Sequence, residues 1–132
     1  MRIGPVLTIV GSVALATAAL ASDVRLLSFP DSVIGAWAPS ADACKGSGEG
    51  KIDIAAKAYS TSGETCEISW ITVTASRDGP VYSARSMCTL TRTGQKNPPS
   101  YFVVSPRPDN ALVVRQTDAS PDGKLMTYRK CL

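Results

Sequence analysis

The residues best able to do chemistry in this chain are four cysteines, Cys44, Cys66, Cys88 and Cys131, in a sequence without a single histidine. A serine or cysteine nucleophile therefore has no imidazole to act as its base, and every histidine metal site is excluded. No Cys-x-x-Cys pair occurs, so the usual zinc spacing is missing too. Glu64 and Glu67 are the nearest carboxylate pair for glycoside chemistry. At i and i+3 on a strand they face opposite sides and cannot share a site. Lys45-Gly46-Ser47-Gly48 lacks the Gly-x-x-x-x-Gly-Lys-Ser/Thr order of a phosphate loop, and no EF-hand calcium loop is present. The expectation is a non-enzyme with no catalytic residue, no metal and no cofactor.

What remains to the cysteines is pairing. An even number of them in an exported chain favours disulfides, and four cysteines allow three pairings. The stretch Glu64 to Arg92 reads as two β-rich runs folded about Ser76-Arg77-Asp78-Gly79-Pro80, with Cys66 and Cys88 at its outer ends. A turn centred near residue 77 sets these two opposite each other, at the separation a disulfide requires. Cys44 and Cys131 are then left to tie the first strand's exit to the last strand, the seam of a closed barrel. Spacing does not prove connectivity, and Cys44–Cys66 with Cys88–Cys131 stays open.

The export reading rests on the first 21 residues. Arg2 gives a positive start, Val6 to Leu20 an apolar core, and Ala19-Leu20-Ala21 a small-x-small cleavage site. The apolar run is too short for a transmembrane anchor, so no stable membrane anchor is expected once Ser22 becomes the N-terminus. The organisation expected is a signal peptide at 1–21, an N-terminal arm at 22–33 and one domain at 34–132, in a periplasmic or secreted location.

The domain reads as strands throughout. Ile34-Gly35-Ala36-Trp37-Ala38 is a first strand with a core indole, followed by a helical turn that carries Cys44. Ile52 and Ile54 alternate with Lys51 and Asp53, a half-buried strand. In the long hairpin, Cys66, Ile68 and Trp70 share a face, and the apolar phase then slips to Ile71, Val73 and Ala75. Such a slip predicts either a β-bulge that keeps Trp70 in the core or a Trp70 facing solvent. On the return run Tyr82, Ala84, Cys88 and Leu90 share a face and Arg85 points the other way. Runs at 101–105, 111–116 and 124–131 complete a meander, joined by a turn at Pro106 to Asn110 and another at Asp118 to Gly123. The fold class expected is all-β: a small antiparallel meander barrel of seven or eight strands with two disulfides and little helix, with a β-sandwich as the alternative.

Charge is uneven. Residues 22–76 hold four Lys/Arg against seven Asp/Glu, and residues 77–132 hold nine against four. The basic residues are separate rather than run together, and in an exported protein of small net charge the phosphate attraction behind nucleic-acid binding is meagre. No nucleic-acid partner is expected. Candidate contacts for a protein partner are Leu26, Leu27 and Phe29 in the arm, Trp70 if exposed, and Arg107 in the proline-flanked turn.

Gly35-Ala36-Trp37-Ala38-Pro39, the cysteine seven residues after Trp37, the pair Cys66 and Cys88, and the closing Tyr128-Arg129-Lys130-Cys131 resemble small exported four-cysteine proteins of alphaproteobacteria. That family has no assigned activity. The chain is also similar to the bacterial inhibitors of secreted metalloproteases, small barrels with an N-terminal arm, a Gly-x-Trp first strand and a disulfide. This second resemblance implies that Ser22 to Val33 is the inhibitory arm and that Gly35 and Trp37 carry the strand motif, although this chain has four cysteines where that family has two. The function expected is a protein-binding module that inhibits an envelope-attacking hydrolase. The alternative is a small lipocalin-like carrier with an apolar cavity lined by Ile52, Ile54, Val103 and Val114.

Overall fold

A computed structural model describes residues 4, 24–45, 50–116 and 125–132. The expected signal peptide and the turn at Asp118 to Gly123 lie outside the described residues. Among the described residues there are nine strands: β1 Val24–Leu26, β2 Gly35–Ala38, β3 Ile52–Ile54, β4 Ala58–Ser60, β5 Glu64–Ser76, β6 Gly79–Leu90, β7 Ser100–Arg107, β8 Ala111–Gln116 and β9 Leu125–Lys130. One short helix, α1 Ala41–Lys45, follows β2. Ser40 opens it, its Oγ accepting a hydrogen bond from the Ala43 amide at 3.2 Å.

The strands β2 to β9 pair in sequence order, every pair antiparallel. Pairing of β2 with β9, Trp37 against Lys130, closes them into an eight-stranded up-and-down barrel. The ninth strand, β1, adds to β5 beyond the point where β4 stops: β4 covers Thr65 to Glu67 and β1 covers Ile71 to Val73. The expected meander barrel is therefore the observed fold.

Both disulfides of the favoured pairing form. Cys66 and Cys88 are direct cross-strand partners 4.0 Å apart at Cα and closed at 2.03 Å. Cys44 and Cys131 close at 2.01 Å across the β2–β9 seam, with Cα atoms 5.5 Å apart. Two such bonds are what an oxidising, extracytoplasmic compartment maintains. No described helix is long and apolar enough to cross a membrane.

An eight-stranded barrel has an interior just wide enough for side chains to fill it, and this one is filled. Trp37, Ile52, Ile54, Tyr59, Ile71, Phe102, Leu112, Val114 and Tyr128 point inward and are buried. Tyr59 and Phe102 stack with ring centroids 3.9 Å apart. The Trp37 indole donates to the Val33 carbonyl at 2.8 Å, so its one polar atom is satisfied inside. Ser86, fully buried, meets the Tyr59 hydroxyl at 3.3 Å. Among the described residues no buried side-chain polar atom lacks a partner.

The segment expected as an arm is part of this packing. Phe29 is 3 % exposed and sits edge-on to Tyr82 and Phe102, with centroids 6.5 and 6.4 Å away. Its amide donates to the Ala56 carbonyl at 2.8 Å, and Val33 is fully buried. Three residues of β-pairing and two core side chains hold residues 24–33 against the barrel. The turn from β7 to β8 is also shorter than the sequence suggested, because β7 runs on through Pro106 to Arg107. Pro106 is tolerated there because the strand is ending and little ladder remains to require its missing N–H.

Candidate functional site

The long hairpin β5–β6 decides what the barrel presents to solvent. Its register shifts between Ile68 and Trp70: Ile68 pairs with Ser86 and Trp70 with Arg85, leaving Ser69 as the extra residue of a β-bulge. Ile68 and Ile71 can thus both face the core, while Trp70 stands half-buried on the outer face. The bulge and the outward Trp70 are one event rather than alternatives. With Ile68 inside, a strict period of 2 would have put Trp70 in the core and Ile71 outside.

Cross-strand register then assembles a surface around Trp70. Its neighbour on β6 is Arg85, whose neighbour on β7 is Tyr101, 50 % exposed. On its other side, β1 brings Arg25 opposite Thr72. The guanidinium carbons of Arg25 and Arg85 lie 5.1 and 4.9 Å from the centre of the Trp70 ring. Contacts of this kind contribute about 0.5–1 kcal/mol each at exposed sites, and the one from Arg25 also fastens β1 to the barrel. Leu27 follows at the end of β1 nearest Trp70 and is 73 % exposed. A second outer row runs from Arg25 through Thr72, Ser83 and Val103 to Arg115.

The contact residues anticipated from sequence part company here. Leu27 and Trp70 come together on the outer face. Leu26 is half-buried against the core, and Phe29 is a core residue unavailable to a partner, a correction that follows from the room its ring finds between Tyr82 and Phe102. Arg107 sits elsewhere: it donates to the carbonyl of Asp78, tying the β7–β8 turn to the β5–β6 turn. Arg25, Arg85 and Tyr101 were not singled out from sequence. Alternation along β6 does place Arg85 outward, but nothing local reveals that β1 would deliver Arg25 to the same ring.

The four residues anticipated to line a carrier's apolar cavity do not face one common space. Ile52, Ile54 and Val114 are packed in the core, while Val103 lies on the outer row beside Ser83 and Arg115. A recess of about 390 Å³ does open at one end of the barrel, floored by Ile52, Tyr59 and Phe102 and walled by Pro98 and Pro99, with Arg115 also in its lining. Its lining is mixed in polarity rather than apolar. Glu64, Cys66 and Cys88 bring one carboxylate oxygen and two sulfurs within 4.8 Å of one another. Both sulfurs are consumed in the Cys66–Cys88 bond, so they are not thiolates and offer no metal centre.

Comparison with known proteins finds no matching family model, no matching curated protein and no matching solved structure.

Proposed function

We propose that this protein is a non-enzymatic binding module of the periplasm or the secreted space that docks a protein partner on the outer face of β1, β5 and β6. A hydrolase that attacks the cell envelope is the partner class this reading takes, and inhibition the outcome of docking. The observation that carries it is the Trp70 surface: an outward indole held by Arg25 and Arg85 with Leu27 exposed beside it, on a barrel whose interior is full. Half-buried aromatics and arginines are the side chains that most often dominate protein interfaces. Val24–Leu26 serve this reading as the outermost strand of the docking face rather than as part of a protruding arm.

The test is a pull-down from periplasmic and secreted fractions with oxidised protein, beside Leu27→Asp and Trp70→Ala variants. Deleting residues 22–33 is the wrong perturbation, since it removes Phe29 and Val33 from the core. The reading expects a partner, a hydrolase, retained by the parent chain and lost from both variants. Equal retention by all three rules this face out. A carrier role has one observation in its favour, the barrel-end recess. It expects instead a small molecule that co-purifies, seen by mass spectrometry, and is lost on Phe102→Ala.

A further inference from the structure

Two arginines beside one indole leave an unanswered charge. Among the described residues neither Arg25 nor Arg85 has a carboxylate partner, and both guanidinium groups lie against the Trp70 ring. The two guanidinium carbons lie within about 10 Å of each other, since each is about 5 Å from the same ring centre. A guanidinium held against an aromatic face loses little further freedom when it binds, and its in-plane N–H groups suit a bidentate carboxylate. Leu27, 73 % exposed, adds an apolar contact at the edge of the pair.

Resting on the binding-module reading, we infer that this face recognises a carboxylate-rich stretch of polypeptide. It takes two acidic side chains within about 10 Å of each other, one at Arg25 and one at Arg85, and an apolar side chain against Leu27. A uniformly anionic surface fits less well. Glu67 is exposed on the same outer face, cross-strand from Met87, which is 44 % exposed. A lipid bilayer or a polyphosphate chain would press negative charge onto Glu67, whereas a peptide can set a neutral residue there.

The experiment measures binding of four probes to the oxidised protein: a synthetic peptide of Glu-Leu-Glu-Glu repeats, its Gln-for-Glu counterpart, polyphosphate, and phosphatidylglycerol vesicles. Trp70 fluorescence reports occupancy, with the buried Trp37 as a constant background. The acidic peptide is expected to bind at least about tenfold tighter than the Gln peptide, and more weakly as salt rises. Arg25→Gln and Arg85→Gln each lower that affinity about tenfold or more, while Arg25→Lys and Arg85→Lys, which keep the charge and serve if a Gln variant folds poorly, lose less. Arg129→Gln is the control: β9 lies four strands from β5 in either direction round the barrel, and its loss leaves binding unchanged.

Equal binding of the two peptides, no binding of the acidic peptide, an equal loss in Arg129→Gln, or preference for vesicles or polyphosphate overturns the inference. A partner retained in the pull-down by Arg25→Gln and Arg85→Gln but lost by Trp70→Ala overturns the carboxylate chemistry alone and leaves the binding-module reading standing. No captured partner at all removes both.

Discussion

Phe29→Ala is the sharpest perturbation of this architecture, because it asks whether residues 24–33 are barrel or appendage. An aromatic side chain buries about 150–200 Å², and Phe29 is 3 % exposed. Truncation to the β-carbon returns most of that area to water or leaves it as a void, a loss of about 3–4 kcal/mol at about 25 cal/mol per Å². The two edge-on contacts with Tyr82 and Phe102 add about 0.5 kcal/mol or more each. The expected cost is about 4 kcal/mol, within the range for burying and then removing a phenyl ring. The assay is urea unfolding of the oxidised protein followed by tryptophan fluorescence. With a slope of about 1.5 kcal/mol per molar urea, the midpoint falls by about 2.5 M. Leu27→Ala, two residues away but 73 % exposed, costs no more than about 0.5 kcal/mol. Phe29→Leu, which refills part of the space, falls between the two. A Phe29→Ala cost below about 1 kcal/mol, or one equal to Leu27→Ala, would refute the reasoning and return the segment to the status of a free arm.

Three further outcomes follow from the same packing. Replacing Cys44 and Cys131 by alanine opens a cross-link between residues 87 apart and lowers stability by up to about 4.6 kcal/mol on loop-closure grounds, whereas Cys66 and Cys88, separated by 22, account for up to about 3.4 kcal/mol; chemical denaturation of the two double variants measures each loss. Burial raises the Tyr128 phenol above its ordinary value of 10.0. The unfolded chain therefore gives up this proton first, binds fewer protons than the native state above about pH 10, and stability falls as pH rises through that window. Alkaline unfolding of Tyr128→Phe should lack this part of the slope. Gly35 has φ of 143° and a Cβ there would stand 3.1 Å from Lys130 Cε, so Gly35→Ala costs about 1–3 kcal/mol in the same denaturation assay, chiefly from the backbone.

Much of the fold could be read along the chain because its causes are local. Alternation at Lys51 to Ile54 announces β3, and the Arg77-Asp78 turn closed by Ser76 and Gly79 sets a hairpin register that the Ser69 bulge then shifts by one residue, bringing Cys66 opposite Cys88. With one cysteine pair satisfied, the other had to cross the seam. Trp37 as a core indole follows from size and apolarity, and its burial needed no knowledge of the partner Val33 carbonyl. The excluded chemistry was equally plain, since a missing residue type is missing in any fold.

The Trp70 surface was legible only in part. The phase slip after Ile68 flagged a decision at Trp70, but a one-residue bulge is resolved by which apolar side chains fit the core, and Ile68 and Ile71 both fit. Leu26, Leu27 and Phe29 look alike as sequence, three apolar residues ahead of a proline. Their different fates are set by β1 pairing to β5 and by a space between Tyr82 and Phe102, contacts between residues more than 40 positions apart. Sequence by itself determined the strands from β2 onward, a favoured disulfide pairing and the absence of histidine chemistry, because turn residues, alternation and composition act over a few residues. Only the tertiary structure decided that Arg25 and Arg85 meet over one indole, because that meeting depends on barrel closure and strand order.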